Sequence, residues 1–300
     1  MTAVGDERQV GTDLDEAVRI FAEQRGRLFG IAYRMLGTVS DAEDLVQEAW
    51  IRWQNTDRGD VEEPAAFLAT VITRLSINVL QSARVKRETY IGPWLPEPVN
   101  TEADPTLGAE RAEALQLAIL LLLEKLTPTE RAAYVLREAF DYPYDRIAEV
   151  ISSSVVSARQ LVSRARAHLA SAKRAQISPS RQRRLLEAFL VAARRGDAEE
   201  LEQLFADDVV SYTDGNGVKL AARIPVAGRG RVAKFVAAFS HHFWAGKVIT
   251  WAEVNGQPAA LLVEGGAVTT AVTVTVSGDG IEQLLWVMSP AKLGHASERF

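Results

Sequence analysis

The 300-residue sequence has no cysteine and only four histidines. Without cysteine the chain forms no disulfide and offers no thiolate to a metal ion. The positions of His168, His241, His242 and His295 do not match a metal-binding pattern. We therefore expect neither a metal site nor a cofactor.

Long apolar runs are also missing. The longest, LQLAILLLL at residues 115–123, is well short of the roughly 20 residues that a membrane-spanning helix needs. The N-terminal stretch MTAVGDERQVGTDLDE is polar and acidic, unlike a signal peptide. The sequence predicts a cytoplasmic protein with no membrane partner.

Charges of both signs are present, but they are segregated along the chain. The formal net charge of −5 disfavours a nucleic-acid partner for the chain as a whole. Residues 159–184 nevertheless contain eight Lys or Arg and no acidic residue, whereas residues 41–63 contain eight acidic residues and two Arg. Because salt limits the reach of exposed charges to about 8 Å, this local segregation matters more for binding than the average does.

The length and a change of pattern predict several domains, because a single core rarely grows beyond about 250 residues. Apolar residues recur at helical spacing over 18–88 and again over 107–172. Between these segments, residues 89–105 contain four prolines and show no period. In the last third, VTTAVTVTV and IEQLLWVM flank the turn SGDG at 268–288, which predicts a hairpin in an α+β domain with a curved antiparallel sheet.

Two helix starts carry capping signals. Ser40 and Glu43 have the spacing of a capping box at the start of a helix. Thr127, Pro128 and Glu130 match an N-cap, a first-turn proline and a third-position acid.

The segment SSSVVSARQLVSRARAHL (152–169) follows a short amphipathic helix, YDRIAEVI (144–151), and the pair predicts a helix-turn-helix. No acidic residue lies within the longer segment, so we expect its arginines to find their counter-charges in DNA. A solvated basic surface helix is the alternative that this segment alone leaves open. The predicted inward face consists of Val155, Ala158, Leu161, Val162, Ala165 and Leu169.

Three stretches resemble the extracytoplasmic-function sigma factors, which are RNA polymerase subunits of the sigma-70 family. SDAEDLVQEAWIRW (40–53) resembles their regions 2.1–2.2, FLATVITRLSINVLQSARVKRE (67–88) resembles regions 2.3–2.4, and residues 126–169 resemble region 4. Ser152 stands where the family often has a turn glycine, and Leu75 stands where it has an asparagine. The resemblance implies two all-α sigma domains, a region 2 helical bundle and a region 4 helix-turn-helix, and no catalytic residue.

The resemblance also implies two partners, core RNA polymerase and promoter DNA. Region 2 would bind the clamp helices of the β′ subunit and the promoter −10 element, and region 4 would bind the −35 element and the β flap. The implied polymerase contacts are Asp41, Asp44, Leu45, Val46, Gln47, Glu48 and Arg52, although the acids among them are equally explained as groups favoured at a helix N-terminus. The implied −10 contacts are Arg74, Asn78, Arg84, Lys86 and Arg87. The implied −35 contacts are Ser154, Ser157, Arg159, Gln160, Ser163, Arg164 and Arg166.

A second resemblance concerns the linker and the tail. WLPEP (94–98) together with a C-terminal extension resembles the class of these factors that carries a fused SnoaL-like, or NTF2-like, cone domain, and DGNGVK (214–219) resembles the DGGGK segment of that class. The resemblance implies that the tail regulates the factor in cis, in response to a small ligand or a protein partner. The implied domains are residues 15–89, 90–106, 107–174 and 181–291, in the order region 2, linker, region 4 and tail. The implied regulatory residues are Trp94, Leu95, Pro96, Asp214, Gly215, Gly217 and Lys219.

Two other functions fit parts of the sequence. An enzymatic tail of isomerase or hydrolase type would use Asp214, His241 and His242 as acid–base groups. An aspartate before glycine more often caps a turn, however, and the histidines more often end a helix at the surface. A helix-turn-helix repressor that senses a ligand through its tail would leave residues 18–88 unexplained.

Overall fold

Helices form the N-terminal part of the chain, and helices and strands form the rest. The computed structural model describes residues 3–87, 90–101, 115–170 and 178–299, with the backbone alone at 3–13, 83–87 and 295–299. Contacts divide the chain into two compact units, Met1–Arg84 with Leu126–Ala165 and Val85–Lys125 with Arg166–Phe300. We call them the first and the second unit.

The described elements follow one another in this order. The helices are α1 (Ala3–Leu36), α2 (Val39–Gln54), α3 (Pro64–Arg87), α4 (Leu117–Leu123), α5 (Pro128–Glu138), α6 (Tyr144–Val150), α7 (Val155–Leu169), α8 (Pro179–Arg195), α9 (Ala198–Leu204), α10 (Arg229–Ala238), α11 (Ser240–Phe243) and α12 (Pro290–Arg299). The strands are β1 (Phe205–Asp214), β2 (Val226–Ala227), β3 (Val248–Val254), β4 (Gln257–Glu264), β5 (Ala267–Ser277) and β6 (Gly280–Val287).

One of the two predicted helix caps is confirmed. Thr127 and Glu130 form a reciprocal capping box, with Pro128 in the first turn of α5. The capping box predicted at Ser40 is wrong, because α2 already begins at Val39 with Thr38 as its N-cap. The preceding Gly37 has a φ of 76°, a left-handed conformation that ends α1 and resets the chain for the next helix.

The core of the first unit is built on aromatic side chains of α2. Trp53 is fully buried, donates a hydrogen bond from Nε1 to the carbonyl oxygen of Ala17 (3.1 Å) and packs against Phe67. The rings of Phe21 and Trp50 lie 5.0 Å apart. The apolar face of α2 therefore packs against both α1 and α3.

Buried arginines join α1 to the segment 126–165. Arg131 of α5 is 3% exposed and donates a hydrogen bond from Nη1 to the carbonyl oxygen of Met35 (2.6 Å). Arg34 is 1% exposed and lies 5.1 Å from the ring centre of Phe140. Burial lowers the pKa of Arg131 to about 9, which is still above neutral pH. The packing of α1 against α5 thus encloses cations.

One helical stretch, Pro64–Ser82 in α3, has the length and mean hydropathy (1.2) of a membrane span. The core helix of a globular protein meets the same criterion, and Leu68 and Ile72 are fully buried in the first unit. The sequence showed no unbroken apolar run of that length because Arg74 interrupts this helix.

The second unit contains a six-stranded sheet in the order β2-β1-β6-β5-β4-β3. The hairpin predicted at 268–288 is confirmed as β5 and β6, which pair antiparallel from Ala271 with Val287 to Ser277 with Gly280. The prediction of an antiparallel sheet is wrong at one pair, since β1 lies parallel to β6. These two strands are separated by four other strands and two helices in the sequence, so no short turn fixes their direction.

The two faces of the sheet pack against different parts of the chain. One face is covered by α8 to α11, through residues such as Phe189, Leu201 and Val232. The other is covered by Leu95 and by α4 and α12. Within the segment 107–174, α4 packs in the second unit, whereas α5 and α6 belong to the first.

Candidate nucleic-acid interface and linker contact

The turn between α6 and α7 has the geometry of a helix-turn-helix. Ser152 adopts a φ of 52°, the left-handed conformation that explains why glycine is common at this position in the family it resembles. Ser153 N donates to the carbonyl oxygen of Ala148 (2.8 Å) and closes the turn. Ser154 Oγ accepts from Ser157 N (3.1 Å), so this predicted DNA contact also caps the first turn of α7.

The inward face predicted for α7 is confirmed except at its first residue. Ala158, Leu161, Val162, Ala165 and Leu169 are all buried, but Val155 is 38% exposed. Val155 is the first residue of α7, between the exposed residues Ser154 and Val156. Among the predicted −35 contacts Ser157 is half-buried, and the exposed ones are Ser154, Arg159, Gln160, Ser163, Arg164 and Arg166.

The prediction that the arginines of α7 lack an acidic partner is wrong for Arg164. Its Nε lies 3.4 Å from Oε1 of Glu130, which belongs to α5 and so lies outside the segment that was counted. Arg159 lies 5.4 Å from the ring centre of Tyr144 in α6. Both arginines are therefore oriented by neighbouring helices rather than by α7 alone.

Arg74, predicted as a −10 contact, is bound to the helix-turn-helix in this structure. It donates from Nε to the carbonyl oxygen of Val150 (2.9 Å), and from Nη2 to the carbonyl oxygen of Glu149 (2.9 Å) and to the hydroxyl oxygen of Ser152 (3.1 Å). The carbonyl groups at the end of α6 favour such a cation. Asn78 is exposed one turn later on α3. The side chains of the other predicted −10 contacts, Arg84, Lys86 and Arg87, lie outside the described residues.

The surface of α2 contains only part of the predicted polymerase contact. Asp41, Asp44, Gln47 and Arg52 are exposed and Glu48 is half-buried. Asp41 accepts a hydrogen bond from Thr38, and Arg52 pairs with Glu48 (2.8 Å). The other two predicted contacts, Leu45 and Val46, are buried in the first unit, where they pack in the core instead of offering surface to a partner.

In the second unit a buried carboxylate holds the linker. Asp214, at the end of β1, is 0% exposed and its Oδ2 accepts from Leu95 N (2.7 Å) and from Lys292 Nζ (2.6 Å). Its Oδ1 accepts from the hydroxyl of Tyr90. Lys292 Nζ also donates to the carbonyl oxygen of Leu95 and lies 4.2 Å from the ring centre of Trp94. We call these five residues the linker contact.

The electrostatics of the linker contact follow from its burial. Burial, together with the hydrogen bond to Asp214 and its negative charge, raises the pKa of the Tyr90 phenol above its ordinary value. Tyr90 is therefore a neutral donor at physiological pH. A lysine and an aspartate removed from water must pair well to offset their desolvation. Here the pair also satisfies the backbone of Leu95, so the charge pair and the linker stabilise each other.

Apolar burial and edge hydrogen bonds extend the linker contact. Leu95 is fully buried against Leu285 and other residues of the sheet face that α4 and α12 cover. Asn255 Oδ1 accepts from Val99 N (3.0 Å), and Asn255 N donates to the carbonyl oxygen of Val99 (2.9 Å). Asn100 forms a bridge to Val254 at the edge of β3. The linker is thus a part of the second unit's fold.

The structure brings some of the predicted regulatory residues together and leaves others apart. Trp94, Leu95 and Asp214 meet in the linker contact, with Pro96 buried beside them. A Cβ on Gly215 would lie 2.2 Å from that of Ala221, so this position requires glycine. Gly217 has a φ of 88°, a left-handed conformation that favours glycine. Lys219 is exposed. Sequence reasoning missed Lys292, since nothing distinguishes one lysine in SPAKLG from a surface residue.

The acid–base groups considered for an enzymatic tail do not converge. Asp214 is held in the linker contact, and His241 and His242 are exposed on α11. The nearby cavity, of about 40 Å³, is lined by no acidic or basic residue. In the part of the chain that the structure describes, no group of three His, Asp or Glu residues is placed to hold a metal. The residues lining the cavity are Thr213, Leu220, Phe235, Val236, Phe239, Phe243, Trp244, Trp286 and Met288.

Comparison with known proteins gives matches along most of the chain. The family models described as Sigma-70 region 2 and Sigma-70, region 4 match residues 20–85 and 116–169. The chain is 36% identical to ECF RNA polymerase sigma factor SigJ of Mycobacterium tuberculosis over 287 residues, which cover 91% of each chain. It is 29% identical over 273 residues to the probable ECF RNA polymerase sigma factor SigI of the same species, covering 90% of this chain and 92% of the relative. The crystal structure of M. tuberculosis SigJ superposes with a TM-score of 0.74 and 32% identity over 92% of this chain and 98% of that one.

Proposed function

The chain belongs to the extracytoplasmic-function sigma factors, the subunits that direct RNA polymerase to promoters, and on this premise we propose which surfaces make its contacts and how its tail controls them. The observation that carries the proposal is the pair of exposed polar helix faces, on α2 and α7, in a chain similar to SigJ over almost its whole length. The tail contributes no catalytic group to this function.

For the polymerase we propose the exposed face of α2. Asp44, Gln47 and Arg52 lie on it at helical spacing, while the opposite face of the helix packs in the core. Interface energies are concentrated in a few residues, so removing two of them should have a measurable effect.

The double variant Asp44→Ala/Gln47→Ala is expected to bind core RNA polymerase about tenfold more weakly than the unchanged chain. Competition between the variant and unchanged chain for core enzyme measures this. Glu62→Ala, an exposed acid outside α2, is the control and should compete normally. Equal competition by the double variant would exclude this face as the contact.

For promoter DNA we propose that α7 binds the −35 element as duplex and that α3 binds near the −10 element. The two elements are separated by about 25 base pairs, or roughly 85 Å of B-form DNA at 3.4 Å per base pair. In the first unit, however, Arg74 of α3 is 2.9 Å from the carbonyl oxygen of Glu149 in the helix-turn-helix. We propose that a first unit packed in this way is too compact to reach both elements at once, that it is the closed form, and that it opens on the polymerase.

For regulation we propose that the linker contact limits how far the two DNA-binding regions separate. Residues 90–101 join region 2 to region 4, and the second unit holds them through Leu95, Val99 and Asn100. A linker held in this way spans a narrower range of distances than a free one. Deleting the tail would expose the buried side chains of Leu95 and Leu117, so a change in activity could come from misfolding as well as from lost regulation. Full-length variants are therefore the better test.

Leu95→Ala is expected to broaden the tolerance for spacer length between the −10 and −35 elements. With unchanged protein we expect transcription to fall about tenfold one base pair from the best spacer, and with the variant about threefold. In-vitro transcription on a spacer-length series measures this. Leu201→Ala creates a similar void on the other face of the sheet and should keep the sharp optimum. Identical profiles for all three proteins would contradict control through the linker.

A further inference from the structure

The outermost line of α7 is not formed by its arginines. With 3.6 residues per turn, the residues opposite the buried face lie at spacings of four and three: Val156, Gln160, Ser163 and Ala167. Each of these is exposed. Arg159 and Arg166 lie on one flank of this line, and Arg164 lies on the other, beside Glu130. In a groove, the flanks of a helix face the phosphates and its outermost line faces the bases.

Val156 is the unexpected member of this line. It is 65% exposed at the second residue of α7, on a helix whose other exposed residues are mostly polar or charged. A single exposed valine is common on protein surfaces. This one lies in the first turn of the second helix of a helix-turn-helix, the part that contacts base edges when such a motif enters the major groove.

We propose that Val156 contacts the C5-methyl group of a thymine in the −35 element, an inference that rests on the proposed binding of this element by α7. The thymine methyl is the apolar group that base pairs present in the major groove. The side chain of valine cannot hydrogen-bond to the polar groups of the base edges. Of the groups that the major groove presents, it therefore matches the thymine methyl. Gln160, one turn further along the same line, can donate to and accept from adenine. The line therefore reads A·T pairs, while the arginines hold the backbone.

Replacing thymine by deoxyuridine removes this methyl group and nothing else, which permits a direct test. A −35 element is first selected from a randomised pool with the holoenzyme of the full chain. Each thymine is then replaced singly, and promoter binding is measured with unchanged protein and with Val156→Ala. At one position we expect deoxyuridine to weaken binding by unchanged protein about fourfold. The variant should bind the thymine promoter correspondingly more weakly and should not respond to deoxyuridine there.

The control variant is Val248→Ala, which removes an equally exposed valine from β3 in the second unit and should behave as unchanged protein. The inference is overturned if the selected element contains no thymine, if no replacement weakens binding, or if both proteins respond equally at every position. Failure of the underlying proposal looks different: Gln160→Ala and Ser163→Ala would then leave the preference for the −35 sequence unchanged, and scrambling that sequence would have no effect.

Discussion

Replacing Asp214 by asparagine is expected to lower the free energy of unfolding of the full chain by about 3–5 kcal/mol. The substitution keeps the shape of the side chain but removes the carboxylate that Lys292 and Tyr90 bind in the interior. A buried cation without its anion is the costly outcome, because no negative charge then offsets its removal from water. Urea unfolding of the full-length variant measures the loss, and hydrogen exchange at residues 90–101 shows whether the linker is released.

A matched control lies on the same strand. Asp207 pairs with Arg229 (2.8 Å) but is 91% exposed, so Asp207→Asn should cost less than about 1 kcal/mol. Adding Lys292→Met to Asp214→Asn removes the stranded charge and should recover part of the stability, a coupling that a double-mutant cycle quantifies. If Asp214→Asn were as mild as Asp207→Asn, the linker contact would not be the centre of this packing.

Arg131→Met is expected to destabilise the packed first unit and to make the sigma factor more active. Methionine fills much of the arginine's volume but leaves the buried carbonyl oxygen of Met35 without its donor, and an unsatisfied buried acceptor costs about 1–3 kcal/mol. A loss of about 1.4 kcal/mol from the closed form raises the ratio of open to closed molecules about tenfold, and promoter-specific transcription at limiting protein should rise with it. Urea unfolding and in-vitro transcription are the two measurements.

Two further variants separate charge from packing. Arg131→Ala removes the hydrogen bond to Met35 and leaves a void, so it should cost about 2–4 kcal/mol. Arg19→Met, at an exposed arginine of α1, should change neither stability nor transcription. A destabilised Arg131→Met protein with unchanged activity would show that the packed first unit need not open.

Patterns that depend on neighbouring residues were predictable from the sequence. The helix-turn-helix, the cap at Thr127 and the hairpin of β5 and β6 all rest on local spacing, and all are present. The cap predicted at Ser40 failed because Gly37, three residues earlier, ends α1, and Thr38, two residues earlier, is already the N-cap of α2. A local signal competes with its neighbours, and the stronger one sets the helix start.

Contacts between distant parts of the chain were not predictable in the same way. Periodicity assigns a charged residue to the surface, so it gives no sign that Arg34 and Arg131 are buried or that Lys292 meets Asp214. The charges within residues 152–169 likewise gave no sign that Glu130, which lies in another helix, pairs with Arg164. The resemblance to a family singled out Trp94 and Asp214, but the geometry that joins them is visible only in the fold.

The linker also covers part of an edge of the sheet. β3 is an outer strand, and Val99, Asn100 and Thr101 occupy part of its free edge through backbone hydrogen bonds to residues 253–255. An uncovered edge strand is a template on which sheets of separate molecules join and aggregate. If the linker leaves the second unit, the edge of β3 is exposed and can pair with a strand of another molecule. Molecules that are not bound to the polymerase therefore avoid aggregation as long as the linker covers this edge.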